Sequence, residues 1–140
     1  MIGVVIVSHS NIASEFVSVL EHIVGKQENM QAISIFPDDD VEKKRKEIIK
    51  AIKKVDQKKG VIVLTDMFGG TPSNLAISVM DEEKVEVVAG VNLPMLIKIS
   101  SLRNKCKIKE LIKISQESGR KYMNVASAFF GETTNCNKKN

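Results

Sequence analysis

Met1-Ile2-Gly3-Val4-Val5-Ile6-Val7-Ser8-His9-Ser10-Asn11 is the stretch that decides the fold. Its opening residues form a nearly unbroken β-branched run, the pattern of a strand buried on both faces. The run stops at Ser8-His9-Ser10-Asn11. Ile12, Phe16, Val19, Leu20 and Ile23 then recur at helical spacing, with Ser14, Glu15, Ser18 and Glu21 between them. Either Ser10 or Asn11 suits the N-cap of that helix. His9 therefore falls where a buried parallel strand hands over to a helix, and in open α/β sheets that carboxyl end is where ligands bind. Taken alone, a histidine in such a turn is equally well explained as a capping or hydrogen-bonding residue.

Outward from this unit the pattern repeats. Met30 to Phe36 reads as a second strand through Ile33 and Ile35, broken by Pro37-Asp38-Asp39-Asp40. The three aspartates are read as caps and dipole partners of the next helix rather than as a metal loop. That helix has Val41, Ile48, Ile49, Ile52 and Val55 as its expected buried stripe. Lys58-Lys59-Gly60 makes a turn, and Val61 to Leu64 is a third buried strand. Thr65-Asp66-Met67-Phe68-Gly69-Gly70-Thr71-Pro72-Ser73-Asn74 follows, in which Thr71-Pro72 has the form of a cap with proline at N1. Val85 to Ala89 is a fourth strand ended by Gly90, and Asn92-Leu93-Pro94 opens a helix through Ile99. A polar turn, Arg103-Asn104-Lys105, leads to a helix over Ile108, Leu111, Ile112 and Ile114, which Gly119 is expected to end. Val125 to Phe130 is read as a fifth, antiparallel edge strand. Strands alternating with helices predict an α/β, doubly wound, mainly parallel sheet of order 2-1-3-4. It forms one domain over 1–131, with 132–140 as a disordered polar tail.

Bulk properties narrow the function. The 140 residues suffice for one full core, with 43% hydrophobic and 27% charged residues. No apolar run approaches the roughly 20 residues that span a bilayer. Met1 leads straight into the first strand, so neither a signal nor a transit peptide is expected, and a cytoplasmic location follows. The net charge of +4 is spread over helix faces and loops, and aromatics are only 4%, so a nucleic-acid partner is not expected. Cys106 and Cys136 lack metal-ligand spacing and read as free thiols.

In a 2-1-3-4 sheet the winding reverses between strands one and three, and the crevice there is bounded by the loops carrying His9 and Asp66. A carboxylate on the imidazole Nδ1–H fixes the tautomer and leaves Nε2 as an oriented, nucleophilic lone pair. Gly69 and Gly70 allow close backbone approach, and the helix starts at Ser10 and Thr71 offer N–H groups to a phosphoryl group. There is no Gly-x-x-x-x-Gly-Lys and no acid cluster for magnesium, so the expected anion site uses no metal and no cofactor. His22, on the first helix away from this edge, is read as a surface or boundary residue. Met67 and Phe68 are read as an exposed apolar rim that docks partners.

Ser-His ending strand one, Thr65 to Asn74 after strand three, and Gly90-Val91-Asn92-Leu93-Pro94-Met95 after strand four resemble the enzyme IIA component of the mannose-family phosphoenolpyruvate-dependent sugar phosphotransferase system. The resemblance covers about residues 1 to 130, with its three motifs in family order. It implies a phosphocarrier that accepts a phosphoryl group from the histidine-containing phosphocarrier protein and passes it to an enzyme IIB. On it, His9 is the phosphorylated residue, Asp66 its partner, and Thr71 the hydroxyl residue beside the phosphate. It also implies a homodimer that exchanges a C-terminal strand, and contact with the membrane only through the IIC and IID components. Ser10 departs from the glycine that many members carry after the histidine. Ser-His-Ser is shared with the phosphotransfer subunit of dihydroxyacetone kinase, whereas Gly69-Gly70-Thr71-Pro72 favours the sugar-transport class. With no IIB domain following, a stand-alone IIA is expected.

Three other readings fit less well. A receiver domain with Asp66 as phosphoacceptor needs an acidic pair where this chain has Ser8-His9-Ser10. An FMN module would find support in Phe68 alone, and a hydrolase using Ser8 or Ser73 lacks the Gly-x-Ser-x-Gly elbow. A regulatory IIA-like phosphorylation sensor keeping His9 stays open beside the transport role.

Overall fold

A computed structural model describes residues 1–131. Its elements are β1 (Gly3–His9), α1 (Ile12–Val24), β2 (Met30–Ile35), α2 (Val41–Val55), β3 (Val61–Thr65), α3 (Thr71–Glu83), β4 (Glu86–Ala89), α4 (Leu93–Leu102), α5 (Ile108–Lys121) and the one-turn α6 (Ala126–Phe129). All strand pairs are parallel and the order is β2-β1-β3-β4, as expected. Val4 stands between Met30 and Ile62, and Val7 between Ile33 and Thr65.

Strand alternation divides the core into two layers. Val4, Ile6, Ile62 and Leu64 face one side, under Leu20 of α1, Leu96 and Ile99 of α4 and Leu111 of α5. Val5, Val7, Val61 and Val63 face the other, under Ile48 and Ile52 of α2 and Leu75 and Val79 of α3. Covered on both faces, β1 and β3 read as continuous apolar runs rather than alternating ones. Each such side chain contributes about 1.5–3 kcal/mol by leaving water. Among the described residues no helix is long and apolar enough to cross a membrane.

The aspartate run does what its composition suggests. Asp40 caps α2 by accepting from Lys43 N at 3.1 Å, and Asp39 accepts from Phe36 N at 2.8 Å.

Four sequence expectations are corrected. Val125 to Phe130 is not an antiparallel edge strand: its centre is the helical turn α6, with Phe129 and Phe130 71% and 80% exposed. Strand propensity takes effect only with a partner, and without one Ala126 and Ala128 favour the local helical turn. Gly119 does not end α5, which continues to Lys121. Asn92 Nδ2 donates to Gly119 O at 2.8 Å, and a Cβ there would stand 3.0 Å from Met95 Cε, so this glycine lets α4 and α5 approach. On α1 the apolar stripe is only partly interior: Ala13 and Leu20 are buried, whereas Ile12, Val19 and Ile23 are exposed. Val41 at the start of α2 is exposed as well, because it lies beyond the end of the strands the helix covers. The tail 132–140, and with it Cys136, lies outside the described residues.

Candidate functional site

The site forms where β1 and β3 end. Ser8, wholly buried, turns its hydroxyl back into the chain and accepts from Ala13 N at 2.6 Å. This hydroxyl, rather than the side chain of Ser10 or Asn11, satisfies an N–H in the first turn of α1. Ser10 sits next to it with φ 49°, its N–H held by Ile35 O at 2.8 Å. Pinned on both sides, His9 is the last residue of β1 and projects its ring over the strand ends, with the side chain 46% exposed.

Asp66 leaves β3 directly opposite. Its Oδ2 accepts from His9 Nδ1 at 2.8 Å and from His9 backbone N at 2.9 Å, while Oδ1 accepts from Met67 N at 3.0 Å. Burial pushes the Asp66 carboxyl up, but the His9 backbone N–H, the imidazole and its charge outweigh that and hold it below its ordinary value. An ionised carboxylate at this distance favours the tautomer with the proton on Nδ1, which in the neutral ring puts the lone pair on Nε2.

The glycine loop is built around a residue that the sequence reading weighed only as a hydrolase nucleophile. Ser73 is buried, and its Oγ accepts from Gly69 N at 3.1 Å and Gly70 N at 3.4 Å while donating to Gly70 O at 3.1 Å. The helix start is displaced by one position: Gly70 is the N-cap and Thr71 already lies in α3. A serine three residues after a cap position was the available signal. The two glycines differ in purpose. Gly69 has φ 89° and open space around it, so it serves the backbone path. Gly70 is in extended backbone, but a Cβ there would lie 2.7 Å from His9 Cε1 and 2.8 Å from Nε2. It is glycine because the imidazole occupies the space.

A cavity of about 390 Å³ opens beside the ring, lined by His9, Ser10, Thr71, Lys44 and the apolar Phe36 and Leu75 among others. Of the expected phosphoryl-binding residues, Ser10 and Thr71 line this cavity, whereas the Gly69 and Gly70 N–H groups are engaged by Ser73. Met67 and Phe68, which follow Asp66 and line a separate hollow with it, stand 56% and 58% exposed, and His22 is exposed on α1. Among the described residues no group of three His, Cys, Asp or Glu side chains is placed to hold a metal ion.

Fold and site together define a doubly wound α/β protein with an oriented, half-exposed imidazole at the switch point of its sheet. The family model described as the fructose IIA component of the phosphotransferase (PTS) system matches residues 3–116. The mannose-specific EIIAB component of Escherichia coli K12 is 36% identical over 121 residues, covering 85% of this chain and 38% of that one. The fructose-specific EIIA component of Bacillus subtilis 168 is 27% identical over 139 residues, covering 99% and 95%. The crystal structure of phosphotransferase system component EIIA from Streptococcus agalactiae superimposes with a TM-score of 0.84 at 28% identity, covering 91% of this chain and 99% of that one. The chain thus spans under two fifths of the mannose-specific relative and nearly all of the fructose-specific one. It belongs to the mannose/fructose enzyme IIA family of the sugar phosphotransferase system. Enzyme IIA proteins of this system are phosphotransferase components that work through a phosphohistidine.

Proposed function

We propose that His9 Nε2 carries a phosphoryl group from the histidine-containing phosphocarrier protein to an enzyme IIB, feeding sugar uptake through membrane components IIC and IID. The observation that carries this reading is the 2.8 Å contact between His9 Nδ1 and Asp66 Oδ2. With the proton held on Nδ1, the Nε2 lone pair attacks the phosphorus of the donor's phosphohistidine. The donor's N–P bond breaks, and its electron pair returns to the donor imidazole. The new phosphoimidazole is positively charged, and the ionised Asp66 stabilises it until an enzyme IIB nucleophile reverses the step. Thr71 and Ser10 supply polar contacts to the phosphoryl oxygens, and Gly70 keeps the approach clear. Met67 and Phe68 dock the partner proteins. The working form is a cytoplasmic homodimer with residues 1–131 as its IIA domain; apolar Val125, Phe129 and Phe130, exposed in a single chain, support a C-terminal contact between subunits.

Incubation with phosphoenolpyruvate, enzyme I and the phosphocarrier protein should label the protein with an acid-labile, base-stable phosphate. His9→Ala should abolish the label and His22→Ala should not. Label that survives His9→Ala, or maps to Asp66, would overturn the proposal and favour a receiver-type acyl phosphate.

A further inference from the structure

The opposite end of the sheet holds a second concave site that the transfer chemistry does not use. A cavity of about 550 Å³ lies there, and Lys58, Lys59, Lys105 and Lys107 line it with Arg103 and Ile108. β1 is seven residues long, which sets this end about 20 Å from the His9 end.

The frame of the cavity is rigid. Arg103 is 3% exposed, and its guanidinium donates to Ile2 O, Glu28 O, Asn29 O and Gln27 Oε1. Gly60, at φ 96°, packs so tightly on the start of α5 that a Cβ would meet Ile108 Cδ1 at 2.5 Å. This contact clamps the Lys58-Lys59 turn against the Lys105-to-Ile108 segment. The four lysines are exposed, and among the described residues none of them is in an ion pair. Among the described residues no carboxylate lines the cavity. Four lysines around one hollow raise a positive potential there that favours an anion.

We propose that this cavity binds a nucleotide-sized organic polyphosphate. Lysine ammonium groups are point-charge donors suited to phosphate oxygens, and their flexible stems adjust to a chain of phosphates. The volume falls within the range of small-molecule sites, roughly 300–1,000 Å³. Cys106 and Ile108, both partly buried, form an apolar side of the cavity, against which a base or another uncharged body packs. The site is independent of His9, so its occupancy does not rest on the phosphotransfer proposal.

Isothermal titration of the full chain with ATP, without divalent metal, tests it, read together with amide chemical-shift mapping. Wild type and His9→Ala should both bind one equivalent, with shifts at Lys58 to Gly60 and Lys105 to Ile108. Lys58 already has φ 63°, a conformation glycine adopts freely, so Lys58→Gly removes a charge without straining the turn. The double variant Lys58→Gly, Lys107→Gln should weaken binding at least about tenfold. Inorganic pyrophosphate should bind more weakly than ATP, because it has nothing to place on the apolar side. Unchanged affinity in the double variant, shifts confined to Ser10 and Gly69 to Ser73, or no saturation by about 10 mM would overturn the proposal. Pyrophosphate binding as tightly as ATP would overturn the nucleotide-sized ligand.

Discussion

The two ends of the sheet treat a charged side chain in opposite ways. At the amino end of the strands Arg103 is buried and spends its guanidinium donors on main-chain carbonyls and Gln27. At the carboxyl end Asp66 gathers three N–H bonds, two of them from His9, yet the ring it holds keeps Nε2 unused and its face open. A buried charge with every partner inside the fold locks the elements it touches, and removing it leaves orphaned groups. A charge that orders only one side of its partner leaves the other side available for a reaction. The contrast predicts that substitutions at one end change stability and those at the other change transfer.

The sharpest break of that contrast is Asp66→Asn. It removes the charge and lets the amide N–H hold the wrong imidazole tautomer, so transfer to His9 should slow by about 10²-fold or more. The thermal transition should stay cooperative. Single-turnover phosphorylation monitors the rate, and a variant matching wild type would show that the carboxylate plays no part.

Arg103→Met should do the reverse. The carbonyls of Ile2, Glu28 and Asn29 lose their charged donor, at a cost of about 2–3 kcal/mol in urea unfolding. Phosphorylation per folded molecule should be unchanged. A stable but inactive variant would erase the division between the two ends.

The adjacent glycines sharpen the comparison within one loop. Gly70→Ala puts a methyl group against the imidazole and should slow transfer about tenfold by swinging the ring from Asp66, with little loss of stability. Gly69→Ala meets no neighbour but must adopt φ 89°, so it should cost about 1 kcal/mol of stability and leave transfer within about twofold. Measuring both variants in both assays checks the pair; interchanged results would mean that their roles were assigned in reverse.

The smallest effect is in acid. Asp66 has a folded-state value below its unfolded one near 3.8, so its contribution to stability is present above that value. It is lost as pH falls through the lowered folded value. The melting-temperature gap between wild type and Asp66→Asn should therefore persist down to about pH 4 and close below it. A gap that instead widens steadily below pH 3 would contradict the lowered value.

Much of this was legible in the sequence because the signals are local. Unbroken β-branched runs announced β1 and β3, Asp40 announced the start of α2, and Pro94 after Asn92 announced that of α4. Alternation of strand and helix then implied the sheet order, and the order implied that the loops of His9 and Asp66 meet. Where the reading failed, the deciding partner lay far along the chain or did not exist within it. Arg103 looks like a turn residue until residues about 75 and 101 positions away present their carbonyls. The hydroxyls of Ser8 and Ser73 look incidental until the backbone curls over them. Val125 to Phe130 has strand composition, but a strand requires an edge to pair with, and the single chain forms a helical turn instead. Sequence by itself determined the four parallel strands, most of the helices between them and which two loops meet, since periodicity and caps depend on near neighbours. Only the tertiary structure decided which glycine makes room for the imidazole, what Arg103 is bound to and which polar groups are satisfied. Those depend on distances between residues that the chain separates and the fold brings together.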